Sequence, residues 1–444
     1  MLKPAFLAAL LLGAPLSVLA KPATDIRAAT ATIDAGLDRE WPDLEALYRD
    51  IHSHPELGFQ ENRTAALLAE RMRKLGFEVT EHVGKTGVVA IFRNGPGPVV
   101  LVRTELDALP MEEKTGLPYA SRAQQTDADG KLTFVAHTCG HDAHMTWWIG
   151  TAEALVAMKD RWHGTLMFVG QPAEELVDGA RSMVADGLFT RWPKADFGFA
   201  EHVENGVAGT VKVKQGVLTS AADTVLITFR GVGAHGSMPD KGIDPIVEGA
   251  HFVDDVQSVI SRQKDPQKFG VVTVGAFNAG TVSNIIPDHA DLKLTLRSYD
   301  PDVRKGLLDG VTATANAVAE MAHAPAPDIQ HPSGANPVVN DSALAAQMSG
   351  VLTTALGAGR VALSPENAPG GTASEDYSDL AAAGIGRSVY FIIGGYAPER
   401  IAAYKAKGEA VPVNHSPFFA PDPMPTIRTG VETLTLAVLS VAGR

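Results

Sequence analysis

A change of rhythm along the chain most constrains its fold. Four apolar runs of strand length, GVVAIF, GPVVLVRTEL, GTLMFVGQP and ADFGFAEHV, share the first half with segments of helical spacing. Leu44, Leu47, Tyr48 and Ile51 fall at i, i+3, i+4 and i+7, behind a Pro42 that suits a helix start. ENRTAALLAERMRKLGFEV is a second helix stopped by Gly76, and DAHMTWWIGTAEALVAM a third. One element cannot satisfy both the alternating period and the helical one, so the alternation predicts an α/β layer architecture. After Gly216 the order becomes strand (ADTVLITFRG), helix (DPIVEGAHFVDDVQSVISR), strand (FGVVTVGAFNAG), strand (ADLKLTLRSYD), helix (PDVRKGLLDGVTATANAVAEMA) and edge strand (APDIQHP). That is the β-α-β-β-α-β order of a ferredoxin-like unit. From about residue 335 the first pattern returns, with DSALAAQMSGVLTTALG and the last twenty residues helical and SVYFIIGG a strand. The chain therefore reads as a larger domain over 21–216 and 333–444, interrupted by a small one over 217–332. The Pro/Gly-rich stretches near 94–98 and 365–371 read as loops.

The first twenty residues, MLKPAFLAALLLGAPLSVLA, place one lysine before an apolar run and end in small residues that signal peptidase accepts. The alternative is a membrane anchor. Gly13, Pro15 and Ser17 interrupt the run, which is shorter than the roughly 20 residues a spanning helix needs. The expectation is a signal cleaved after Ala20 and an exported, periplasmic protein of about 424 residues, enough for two cores. The formal charge of −13, or −14 once Lys3 leaves with the signal, argues against nucleic acid or anionic membrane as partner. A small molecule in a cleft is unaffected by that argument.

Export sharpens the meaning of HTCGHDAH, residues 137–144, which holds the only cysteine and three of the fourteen histidines. Cys139 could be an inert buried thiol, half of an intermolecular disulfide, or a thiolate protected by a metal. Ligands in open α/β sheets sit beyond the carboxyl ends of the strands. RTELD, QPAEE and EHV follow three predicted strands, Cys139 and His141 open a helix, and NHSPFF lies in a loop before the last one. Singly, each is an ordinary loop carboxylate or hydrogen-bonded histidine; together they converge on one sheet edge. Thiolate, imidazole and carboxylate suit a divalent transition metal of the zinc type. Ligands spread so widely, with a spare glutamate, suit an open hydrolytic site rather than a closed structural one. Of Glu174 and Glu175, one can then bind metal while the other handles a proton.

In order along nearly all of the chain, YRDIHSHPELGFQE, RTELDALP, HTCGHDAH, QPAEE, GARSMVADGLF, GAHGSMPDKGIDPI, SNIIPDHADLKLTLRS, SEDYS and NHSPFF carry a resemblance. The sequence resembles the metal-dependent amidohydrolases that include hippurate hydrolase, the plant auxin-conjugate hydrolases and bacterial N-acyl-amino-acid amidohydrolases, relatives of aminoacylase and carboxypeptidase G. The resemblance implies an α/β fold: a discontinuous catalytic domain with a central mixed sheet flanked by helices, plus an inserted ferredoxin-like α+β lid and dimerisation domain. It implies two divalent ions per subunit (Zn, Mn, Co or Ni) held by Cys139, His141, Glu175, His202 and His415, with Cys139 bridging. Glu174 would be general base and acid. His235 would stabilise the oxyanion across a homodimer, and Asn284 and Arg297 would hold the substrate carboxylate. Glu105 and Asp107 would stand behind the ligands, Glu105 where the family has aspartate. Trp147 and Trp148 occupy places where smaller residues are commoner, either as helix packing or with one narrowing the acyl pocket. The implied reaction splits an N-acyl amino acid into a carboxylic acid and a free amino acid. A periplasmic dipeptidase or aminopeptidase would instead require recognition of a free α-amine. A non-catalytic metal- or ligand-binding protein would have no need of Glu174.

Overall fold

A computed structural model describes residues 25–443; the expected signal segment, 1–20, lies outside them. The first helix departs from expectation. Helix α1 (Ile26–Ser53) starts well before Pro42, which lies inside it, and Asp25 caps it by accepting from the Ala28 N–H. Ala29, Ile33, Leu37 and Trp41 extend the buried stripe of Leu44, Leu47, Tyr48 and Ile51. That packing outweighs the one backbone hydrogen bond a proline withholds.

The larger unit continues with α2 (Asn62–Lys74), β1 (Glu78–Val83), β2 (Gly87–Asn94), β3 (Val99–Glu105), α3 (His141–Ala157), β4 (Gly164–Gln171), α4 (Gly179–Ala185), β5 (Ala195–Val207) and β6 (Val211–Lys214). The inserted unit follows, with β7 (Ala221–Arg230), α5 (Pro245–Asp255), β8 (Gly270–Ala279), β9 (His289–Ser298), α6 (Pro301–Met321) and β10 (Asp328–Ala335). The chain then returns through α7 (Ser342–Leu356), β11 (Val361–Ser364), α8 (Tyr377–Gly384), β12 (Ile385–Tyr396) and α9 (Pro423–Ala442).

The main sheet has eight strands in the order β1-β2-β4-β3-β5-β12-β6-β11. β4, β3, β5 and β12 run parallel in its middle, while β1 and β2 are antiparallel at one edge, so the sheet is mixed. One face is buried under α1, α2, α3, α7 and α9, the other under α4 and α8. Because the central strands are parallel, their carboxyl ends open on one edge, where Glu105 pairs in register with Gln171. That edge is where ligands are expected to gather.

The inserted sheet is antiparallel throughout, in the order β8-β9-β7-β10, which is second, third, first and fourth strand. This is the ferredoxin-like arrangement read from the sequence. Its core lies under α5 and α6. The connections to the larger unit run side by side, Gly216–Val217 pairing with Val339–Asn340. No described helix is long and apolar enough to cross a membrane.

Candidate active site

The amino end of α3 brings the first ligand candidates to β5. Gly140, its N-cap, has φ +96°, and a Cβ there would lie 2.4 Å from Val203 Cγ1. Glycine is what lets the turn between Cys139 and His141 press against the strand that carries His202. His141 Nδ1 donates to the Asp107 carbonyl at 2.8 Å, leaving Nε2 buried without a partner. His202 Nδ1 donates to the Val203 carbonyl at 2.8 Å, and its Nε2 faces Cys139 Sγ at 3.3 Å. Each ring thus has its tautomer set by a carbonyl and its other nitrogen turned inward.

The loop after β4 is held under strain. Ala173 and Val177 adopt φ of +47° and +55°, and a Cβ on Gly179 would lie 1.5 Å from the Pro172 carbonyl oxygen. Glu61 accepts from the Ala173 N–H at 2.7 Å, and Asp107 from the Glu175 N–H at 3.0 Å. Non-glycine residues in this region persist only where surroundings over-determine them. The outcome is that two adjacent carboxylates turn toward two of the histidines. Glu174 Oε2 lies 3.8 Å from His141 Nε2, and Glu175 Oε1 lies 3.3 Å from His415 Nε2. His415 also has a positive φ, +65°.

All five expected ligands meet here. Cys139, His141 and His202 form one set with ligand atoms within 4.8 Å of one another, and Cys139, Glu175 and His415 form a second. Cys139 belongs to both. Glu174 joins His141 and Glu175 in a third such set. Cys139, Glu174, Glu175, His202 and His415 open into a cavity of about 380 Å³ that Arg297 and Glu375 also line.

A family model for peptidase family M20/M25/M40 matches residues 101–420. The chain belongs to this family. It is 39% identical over 267 residues to the hippurate hydrolase of Campylobacter jejuni, a stretch that covers 59% of this chain and 66% of that one, just under two thirds. It is 33% identical over 303 residues to an N-acetyl-L-cysteine deacetylase of Bacillus subtilis, covering 68% and 70%. Among solved structures, the Bacillus subtilis YXEP protein, described as a dinuclear metal binding peptidase of the M20 family, superposes with a TM-score of 0.70 at 26% identity, covering 92% of this chain and 99% of that one.

The donor set of this M20 chain fits divalent metal ions. Burial, then the neighbouring Glu375 and Glu175, pushes the Glu174 carboxyl well above the usual range. Burial, then Glu175 and Glu174, does the same to the Cys139 thiol. Carboxyl and thiol donors that burial and each other's charge hold against ionisation, beside an unpartnered imidazole nitrogen, lack positive charge at their centre, which a bound cation would supply.

His144 also lies within 4.8 Å of Glu105 and His141 by their ligand atoms, but both of its ring nitrogens are taken. Its Nδ1 donates to Glu105 Oε2 at 3.0 Å, its Nε2 accepts from the Val203 N–H at 3.0 Å, and its ring stacks on Trp147. Burial draws its pKa down to about 3, so the ring is neutral. Glu105 is fully buried; against that burial, Arg103 and then His144 hold it well below the usual carboxylate range. The same Arg103 binds Glu105, meets Glu375 Oε1 at 2.7 Å and donates to Gln171 Oε1 at 2.9 Å. Tyr390 donates to Glu375 Oε2 at 2.6 Å, fixing Glu375 at the cavity wall. The SEDYS motif contains Glu375, yet neither it nor the segments around Arg103 and Tyr390 mark these residues as part of a site. No local signal could have found them, because Arg103 and Glu375 are 272 residues apart.

Two expected residues are not brought to the cavity. His235 and Asn284 are exposed on the inserted unit, where Ala234–His235 pairs with Ile285–Ile286 and the Gly236 N–H donates to the Asn284 carbonyl at 2.8 Å. Arg297, on β9, does reach it, with Nη1 buried and unpartnered. Asp107 lies behind His141 and Glu175, as its contacts above require. Trp147 and Trp148 are wholly buried, Trp148 donating to the Val102 carbonyl at 3.1 Å, so both are helix packing and neither lines the cavity.

Proposed function

We propose that this chain hydrolyses the amide bond of N-acyl amino acids, releasing a carboxylic acid and a free amino acid. The observation that carries the reading is the pair of three-ligand sets sharing Cys139, with Glu174 beside them at the wall of one cavity. Cys139, His141, Glu175, His202 and His415 would hold two divalent ions, of which Zn, Mn, Co and Ni all suit the donors. Such ions would supply Lewis-acid polarisation of the scissile carbonyl and lower the pKa of water toward neutrality. Glu174, through Oε2, takes the proton from the attacking water and delivers it to the leaving nitrogen. Arg297 Nη1, buried and unpartnered, offers a charge-assisted hydrogen bond to the substrate's free carboxylate.

His235 and Asn284 act on the cavity of a second subunit in this reading. Val232, Met238, Ile246, Val247, Phe277 and Ile285, all exposed, lie on the same inserted unit. Ile285 pairs with His235, and Phe277 packs on Gly249 of α5. A patch of that kind is what a homodimer buries. The chain is exported in this proposal, its first twenty residues serving as a signal.

The test is amino-acid release by the chain from Lys21 onward, reconstituted with Mn, Zn or Co, from acetyl, benzoyl and indoleacetyl amino acids and from matched free dipeptides. Release from acylated substrates is expected, with turnover about 10²- to 10⁴-fold lower in Glu174→Gln at unchanged metal content. Release from free dipeptides alone would make the chain a peptidase. No release from any of them by the metal-loaded wild type would leave it a binding protein.

A further inference from the structure

Asn414 stands between three of the ligand-bearing segments. Its side-chain Nδ2 lies 2.8 Å from the Cys139 carbonyl oxygen and 3.0 Å from the Val203 carbonyl oxygen. Both oxygens can only accept, so the amide nitrogen must face them, and both of its hydrogens are committed. On its carboxyl side the His415 N–H donates to the Thr138 carbonyl at 2.8 Å, lacing the same loop to the same turn a second time. The Val203 carbonyl also takes the Nδ1 hydrogen of His202, while the Val203 N–H is held by His144 Nε2. The peptide groups around Val203 are therefore gripped from both sides, and the His202 ring hangs from one of them.

We propose that Asn414 is a positioning residue, setting the mutual spacing of Cys139, His202 and His415 and fixing the tautomer that turns His202 Nε2 toward Cys139. The proposal rests on reading those three residues as metal ligands. Asparagine meets a requirement that its neighbours in chemistry do not. Aspartate would set oxygens against two carbonyl oxygens. Serine has one hydrogen to give, and lysine or arginine would place a positive charge beside the cations. Asn414 borders the cavity, but both hydrogens of its amide go to the backbone of Cys139 and Val203, and it acts through them. Groups that orient ligands in this way typically govern metal affinity by about 10- to 100-fold.

The experiment compares the metal-stripped wild-type chain with Asn414→Asp and Asn414→Ser. Cobalt(II) affinity is measured by equilibrium dialysis, the thiolate-to-cobalt absorption in the near ultraviolet is recorded, and melting of each metal-free protein is followed. Asn414→Asp is expected to bind cobalt about 10- to 100-fold more weakly, with the thiolate band shifted or weakened, and Asn414→Ser to fall between it and wild type. A role confined to stability would lower metal-free melting and leave band and affinity alone, which would overturn the proposal. So would wild-type affinity and spectrum in a folded Asn414→Asp. If Asn414→Asp fails to fold, Asn414→Ser decides on the same two readings. A wild type that takes up no cobalt removes the ligand reading itself, a result distinct from an unaffected variant.

Discussion

Gly140→Ala puts the largest strain on the smallest chemical change at this site. An L-residue at φ +96° costs roughly 1–2 kcal/mol, from the clash of its Cβ with the backbone. The new methyl also lands 2.4 Å from Val203 Cγ1 and 3.3 Å from Phe419 Cε1. Both neighbours are buried, and Val203 is pinned through its N–H to His144, so relief means moving β5 or the turn. Overpacking of that kind costs about 1–3 kcal/mol. The sum is about 2–5 kcal/mol, and either movement shifts Cys139, His141 or His202. The five tryptophans, at 41, 147, 148, 162 and 192, all lie in the larger unit, so urea unfolding followed by their fluorescence reports that unit. Gly350→Ala is the control. It lies on α7 with nothing within 4 Å of an added Cβ, and alanine there should stabilise by up to about 1 kcal/mol. Gly140→Ala is expected to lose both stability and metal. A loss below about 1 kcal/mol with wild-type metal content would refute the argument from the left-handed turn.

Two further predictions concern residues behind and beyond the cavity. His52 is buried, a setting that by itself disfavours its charge, yet hydrogen bonds to Asp142 at 2.6 Å and Glu113 at 3.2 Å raise its pKa to about 9. That folded value lies above the unfolded value of about 6.5, so its contribution, on the order of 3 kcal/mol, is complete below pH 6.5 and lost as pH rises through 9. The melting gap between metal-free wild type and His52→Gln should narrow from pH 6 to 9.5; parallel curves would refute the assignment. For His235, alanine is expected to cut turnover without loss of metal. Mixing His235→Ala with Glu174→Gln subunits should restore up to about a quarter of wild-type activity, since one site per mixed dimer is whole. No recovery on mixing would show that His235 does not act across subunits.

Much of the architecture was legible because it is periodic. The inserted unit's order followed from six segments whose apolar spacing switches between the two regular periods, and the structure has the same six in the same order. α1 shows where local reading fails: Pro42 is a sound helix-start signal, overridden because Ala29, Ile33, Leu37 and Trp41 all find a core to enter. The candidate donors were legible because metal chemistry selects rare residue types, and a single cysteine among histidines is conspicuous. The supports were not. Nothing near Asn414 in the chain points to the carbonyls of Cys139 and Val203, and nothing near Arg103 points to Glu375.

Residue type and spacing therefore determined by themselves the layered α/β plan, the interrupting ferredoxin-like unit and the donors a divalent metal would select. Only the tertiary structure decided that Cys139 belongs to two candidate ligand sets, that both nitrogens of His144 are taken by Glu105 and the Val203 N–H, and that His235 stands outside its own chain's cavity. The physical reason is range. Periodicity and donor chemistry are properties of a residue and its near neighbours, whereas a hydrogen's partner and an atom's distance depend on strand order and closure, which bring together residues hundreds of positions apart.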